Sequence, residues 1–196
     1  SITCLPVAEL VLGDLSGYIQ TNLMAMTDGH VFFDSDLFNQ GRRPAVNPFL
    51  SVTRVGRQAQ TQLLRDLNRQ VTRFLVYVEK LREFLHFGAE LSESTQRTLA
   101  MGDRLIAFFN QSSDKVVPLK VNIIIISAIW GGFWKGVAIN NMNKNIAFIV
   151  DTFKKDANYR QRIENFIASS NTFDDIVAAI KQNQDILLGQ AKLEGA

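Results

Sequence analysis

One cysteine, two histidines and four prolines in 196 residues exclude several chemistries at once. Cys4 has no second thiol for an internal disulfide, and with His30 and His86 it cannot build a C-x-x-C or H-E-x-x-H metal spacing. That usage fits a reducing compartment. Charge of one sign is scarce too. The formal net charge is +2, with three basic and five acidic groups up to Gly56 and eighteen and fourteen beyond it, so neither part carries the basic patch of a nucleic-acid binder. Long apolar runs are also missing. The longest, "VNIIIISAIWGGFW" at 121–134, rises only about 21 Å as a helix against a hydrocarbon core of roughly 30 Å, which favours a buried helix over a membrane span. "SITCLPVAEL" opens without a Met, a basic n-region or an apolar h-region, so it reads as a chain entered at a strand rather than as a leader. Finally, no G-x-x-x-x-G-K-[ST] loop occurs in these residues, and with it the usual phosphate cradle is absent from the sequence.

What is present is enough apolar material, 46% of the residues, for one large domain or two small ones. Up to residue 56 the pattern is mixed. "ITCLPV", "TNLMAM" and the run after "TDG" are short apolar stretches bounded by polar or turn residues, which predicts buried strands, with Asp28-Gly29 as a turn. Gly41, Pro44 and Pro48 make "NQGRRPAVNP" a loop. From residue 57 the period changes. Leu63, Leu64, Leu67, Val71, Phe74, Leu75, Val78, Leu81, Phe84 and Leu85 recur at steps of three and four. Arg65, Arg69 and Arg73 lie on the other face, which reads as solvated or as an intersubunit edge.

That long helix is expected to end near Gly88. A second opens after Ser92 around Leu99, Leu105, Ile106 and Phe109; a third, fully buried one starts at Pro118; and Asn171 or Thr172 caps "FDDIVAAI". Trp130, Phe133 and Trp134 read as helix packing and Cys4 as a small buried hydrophobe. His30 reads as structural or exposed. With no linker in between, the change of period near 56–60 is the only sign of a boundary, giving 1–58 as an α/β part and 59–196 as a helical bundle.

Arg54 stands in "SVTRVG", between a Pro-rich turn and the long helix. An arginine there is either a loop salt-bridge partner or a planar, permanently charged fork aimed at a phosphate. The surrounding residues point to the second. "GRRPAVNPFLSVTRVGRQAQ" resembles the Gly-x-Arg-Pro-Ala-x-Asn…Ser-x-Ser-Arg-Val-Gly…Ala-Gln signature of alpha subunits of F-type ATP synthases. "GDLSGYIQTNLMAMTDGHVFF" is similar to that family's Gly-Asp-x-Ser-x-Tyr-Ile-Pro-Thr-Asn…Thr-Asp-Gly segment, and "FLHFGAELSESTQRTLAMGDRL" to its following helices. The resemblance is dense to about residue 137. It is of the alpha type, since catalytic beta subunits and secretion ATPases lack Arg-Pro-Ala-x-Asn followed by Arg-Val-Gly.

The resemblance implies a mostly α protein with a small α/β part: the C-terminal remnant of a RecA-like nucleotide-binding domain followed by an α-helical bundle. It implies that Arg54 reaches in trans into a neighbouring beta subunit's catalytic site and steadies charge on the transferring phosphoryl group. Arg43, Pro44 and Gln111 match the lining of the adenine pocket of a non-catalytic nucleotide site. ATP or ADP with Mg is then the cofactor of the full-length parent, with none expected for this stretch alone. Beta subunits and the central rotor stalk are the implied partners, without nucleic acid or membrane insertion, on the cytoplasmic or matrix face of an energy-coupling membrane. Sheet edges left open in a partial RecA-like unit add self-association as an expectation. Gln20, Ala25, His30, Pro48-Phe49 and Ser113 depart from the family pattern, where a proline, a serine, a glutamine, Val-Gly and a second pocket glutamine stand. These departures keep a second reading open, an alpha-like assembly module without nucleotide chemistry.

Overall fold

A computed structural model describes residues 2–11, 13–86, 92–111 and 116–183. In sequence order the elements are α1 (Tyr18–Met26), β1 (Gly29–His30), α2 (Ser35–Asn39), β2 (Val52–Thr53), a 3-10 turn (Gly56–Ala59), α3 (Gln62–His86), α4 (Glu93–Phe109), α5 (Leu119–Trp130), α6 (Ile139–Lys155), α7 (Ala157–Ser169) and α8 (Phe173–Gln182). The protein divides into two compact units, one of residues 1–60 with 111–113, the other of 61–110 with 114–196. The fold is mostly α with one two-stranded sheet, as the resemblance implies.

The first unit has little apolar core: among its described residues only Phe32 and Ala45 are buried hydrophobics. Several expectations fail in it. The run after "TDG" is not a buried strand: β1 ends at His30, and Val31 and Phe33 are exposed. Gly29, expected in a turn with Asp28, is the first residue of β1, paired with Thr53. "TNLMAM" is helical within α1 and not a strand, with the Thr21 and Thr27 hydroxyls donating back to the Gly17 and Leu23 carbonyls, both at 2.9 Å, although no residue of α1 is buried. Residues 2–10 form neither helix nor strand, so Cys4 is exposed instead of buried. Asp34 caps α2 by accepting from the Asp36 and Leu37 amides.

The second unit is a helical bundle around α5. From Ile123 to Ile129 every residue of that helix is buried, an all-round apolar surface that only a central helix can satisfy. It packs on α4, α6, α7 and α8, while α3 packs on α4 and α8. Ser127, the polar residue in that run, is fully buried and donates its hydroxyl to the Ile123 carbonyl at 2.7 Å. The expected helix starts hold: Ser92 caps α4, Pro118 precedes α5, and Thr172 forms a capping box with Asp175 on α8. On α3 Leu63, Leu67, Val71 and Val78 are buried, but Phe84 is 65% exposed and lies off the buried stripe. The expected helix end at Gly88 lies outside the described residues.

Aromatic packing seals the bundle: Trp130 meets Phe74 and Phe173 edge-on at 5.1 and 5.3 Å, and Trp134, fully buried, meets Phe133 at 5.1 Å. Arg104 on α4 fastens the turn after α5, donating to the Trp134 and Val137 carbonyls at 3.1 Å each and to Ala100 at 2.8 Å. Helices α3 and α4 approach tightly at Gly102, where a Cβ would lie 2.7 and 2.9 Å from the two γ-methyls of buried Val78.

Asp66 ties α3 to α8. Its buried carboxylate accepts from the Phe173 amide at 3.1 Å, from Arg69 at 2.6 Å and from Gln70 at 3.2 Å. It thereby satisfies a donor at the first turn of α8 and places negative charge at the positive end of that helix. These bonds, the Phe173 amide foremost, hold the Asp66 carboxyl below its ordinary value of 3.8.

Two outcomes follow from this packing. Gly102→Ala must push the stiff, β-branched Val78 aside and costs about 1–3 kcal/mol in urea unfolding. Asp66→Asn costs about 1–3 kcal/mol at neutral pH. Because the folded pKa of Asp66 is lowered, its contribution is complete above 3.8 and disappears as pH falls through the folded value. The gap between wild type and Asp66→Asn therefore narrows in unfolding curves taken at successively lower pH.

Candidate functional site

The position of Arg54 is set by a short antiparallel pairing in the first unit, with Gly29 opposite Thr53 and His30 opposite Val52. The strands approach closely at Gly29, where a Cβ would stand 2.4 Å from the Val52 carbonyl oxygen and 3.2 Å from the Thr53 Cα. Only glycine fits there without parting the strands. Next to this pair, the Arg54 amide donates to the Asp28 carbonyl at 2.9 Å. Thr53 then turns the backbone, its Oγ1 accepting from the Gly56 amide at 3.2 Å. The Cα of Arg54 is thus fixed from both sides.

Its side chain is exposed. Nη2 donates to the Met24 carbonyl at 3.1 Å, the one side-chain partner of Arg54 among the described residues. Met24 lies in the last turn of α1, where carbonyls lack intrahelical donors and a cation is favoured. Among the described residues the fork therefore has one arm engaged on an otherwise exposed residue. A planar guanidinium offers positive charge and a fork of N–H donors, so its chemistry is anion binding and charge stabilisation.

Upstream of β2, Asn47 organises the turn. Its amide donates to the Phe32 carbonyl at 2.9 Å, beside a bridge between Phe33 and Val46. Its Oδ1 accepts from the Phe49 and Leu50 amides at 3.0 and 3.2 Å, and its Nδ2 donates to Asp34 Oδ2 at 2.9 Å. Its carbonyl accepts from the Ser51 hydroxyl at 2.6 Å, and that hydroxyl accepts from the Phe32 amide at 3.0 Å. The Nδ2–H of Asn47 is the largest cause holding the Asp34 carboxyl below its ordinary range. Neither role is expected from the sequence, although Asn47 is the asparagine of the Arg-Pro-Ala-x-Asn pattern and Asp34 stands immediately before α2. His30 is structural, its Nε2–H donating to the Leu50 carbonyl at 2.9 Å.

Gln111, far in sequence from Arg43 and Pro44, joins them in the same unit: the Gln111 amide donates to the Arg43 carbonyl at 2.7 Å. The Arg43 guanidinium lies 3.6 Å over the Phe38 ring and donates to the Phe38 and Arg42 carbonyls, both at 2.8 Å. What this cluster offers a ligand is the outer faces of Arg43 and Pro44 and the half-buried Gln111. Ser113 lies outside the described residues. Among the described residues no group of three or more His, Cys, Asp or Glu side chains is placed to hold a metal ion.

Two family models match this sequence: "ATP synthase alpha/beta family, nucleotide-binding domain" over residues 1–53, and "ATP synthase alpha/beta chain, C terminal domain" over residues 60–185. Among curated proteins, the ATP synthase subunit alpha of Wigglesworthia glossinidia brevipalpis is 33% identical over 90% of this chain and 34% of its own length. That of Clostridium acetobutylicum is 33% identical over 97% of this chain and 38% of its own length. ATP synthase subunit alpha 2 of Shewanella frigidimarina is 36% identical over 74% of this chain and 28% of its own length. The present sequence thus spans about a third of the length of the curated relatives it matches.

The close approach at Gly29 yields a direct check. Gly29→Ala parts the strands, and amide hydrogen exchange at Arg54 accelerates by roughly tenfold or more as that hydrogen bond opens locally. Unchanged protection at Arg54 would show that the pairing does not fix this residue.

Proposed function

Since this protein belongs to the ATP synthase alpha/beta family, we propose that it is the C-terminal part of an alpha-type subunit of a rotary F-type ATP synthase, and that Arg54 acts in trans on the nucleotide of a neighbouring beta subunit. The observation that carries this reading is an exposed guanidinium on a fixed Cα, one arm on Met24 and the rest unengaged among the described residues. Such a fork needs no reorganisation when negative charge grows on a transferring phosphoryl group. It contributes through that charge and not through proton transfer. Arginines in this role raise kcat by roughly 10³–10⁵.

Arg43, Pro44 and Gln111 line the adenine pocket of a non-catalytic site for ATP or ADP with Mg in the full-length subunit. Their meeting at the Arg43 carbonyl supports this. The phosphate cradle of that site comes from outside the present sequence. The helical unit packs against neighbouring beta subunits around the rotor stalk, on the cytoplasmic or matrix face of an energy-coupling membrane. Among the described residues no helix is long and apolar enough to cross a membrane.

The contact to Met24 also favours a second reading, in which Arg54 merely closes the end of α1 in an alpha-like assembly module. Substitution separates the two. In the full-length subunit assembled with its beta partner, Arg54→Ala and Arg54→Lys lower multisite ATP hydrolysis by roughly 10³-fold or more, the lysine because a point charge does not replace a planar fork. Nucleotide binding measured by equilibrium titration stays within a few-fold. Normal turnover in either variant would favour the assembly module.

A further inference from the structure

We propose that Asn47 is a positioning residue for Arg54, its side-chain amide, clasped by Asp34, setting the turn that delivers β2 and hence the guanidinium to its working place. This inference rests on the trans-acting reading of Arg54 and specifies what holds it there.

Among the described residues of the first unit only Phe32 and Ala45 are buried hydrophobics, whereas side-chain hydrogen bonds run along the path from residue 47 to residue 54. Asn47 Oδ1 holds the Phe49 and Leu50 amides, the Asn47 carbonyl holds Ser51, and Ser51 holds Phe32. Val52 and Thr53 then pair with β1, and Arg54 reaches Asp28. The orientation of the Asn47 amide is dictated by its neighbours, because its oxygen faces two N–H donors and its nitrogen faces a carboxylate oxygen. Asp34 is anchored in turn, its Oδ1 capping α2 and its amide bound to the Ala45 carbonyl at 2.8 Å. Asn47 does not touch Arg54. It acts through the intervening backbone, and a displacement of about 1 Å in a charge-stabilising group can cost on the order of 10²-fold in rate.

The Asp34–Asn47 pair permits an exchange test, because each residue can play the other's part. An asparagine at 34 still caps α2 through its oxygen and donates its Nδ2–H, while an aspartate at 47 still accepts from two amides and receives that proton donor. The single variants cannot. Asn47→Asp sets two carboxylates against each other, and Asp34→Asn leaves Nδ2 facing Nδ2.

In the full-length subunit assembled with its beta partner, Asn47→Asp and Asp34→Asn each lower kcat roughly 10- to 100-fold with KM for ATP within about twofold. The double exchange D34N/N47D recovers kcat to within roughly threefold of wild type, and Asn47→Asp adds nothing in an Arg54→Ala background, as expected for residues acting as one unit. Wild-type kcat in Asn47→Asp, or failure of the exchange to rescue an assembled complex, would overturn the inference while leaving the role of Arg54 intact. Normal turnover in Arg54→Ala would instead overturn the trans-acting reading, and this inference with it.

Discussion

The pairing of Gly29 with Thr53, continued by the Arg54 amide on the Asp28 carbonyl, is the constraint on which the first unit depends. A single strand pair of two residue pairs is too little to stand on its own in water. What supports it is a relay of side-chain to backbone bonds through Asp34, Asn47 and Ser51, each satisfying main-chain groups that no long strand or helix serves. The same relay leaves the guanidinium of Arg54 exposed. Fixing the backbone and freeing the side chain are one structural solution, because the residue that follows β2 has its amide inside the pairing and its side chain beyond it.

The second unit solves its problem in another way. A helix apolar on all sides is surrounded by four others, and full burial of side chains such as Ile124, Ile125 and Ile129 contributes about 1.5–3 kcal/mol each relative to exposure. Two polar groups at that core satisfy backbone donors and acceptors, while Asn122 Oδ1 and Trp134 Nε1 are buried with no hydrogen-bond partner among the described residues. Asp66 serves the first turn of α8, and Arg104 serves the carbonyls after α5.

The bundle was legible in the sequence because its signals are periodic and its helix starts are chemical: Ser92 and Thr172 cap their helices, and Pro118 stands at the start of α5. The first unit was less so. "TNLMAM" is too short for its period to separate strand from helix, and the threonines at its two ends bond back within the helix. Phe84 matched an apolar spacing on a helix whose buried stripe it misses. Arg54 could be singled out from its motif, but its seat on Met24 joins residues thirty positions apart and leaves no local trace. Asp66 carries no local signal of its tie to α8, since the amide it serves lies 107 positions away.

The most direct measurement is a cryo-electron-microscopy structure of the full-length subunit assembled with its beta partner, with ADP, Mg and a phosphoryl transition-state mimic in the beta sites. A trans-acting Arg54 predicts that in at least one interface its guanidinium leaves the Met24 carbonyl and lies within hydrogen-bonding distance, about 2.7–3.2 Å, of the mimic's oxygen or fluoride atoms. Arg54 remaining on Met24 in every interface, with the mimic bound and no contact to it, would contradict that role.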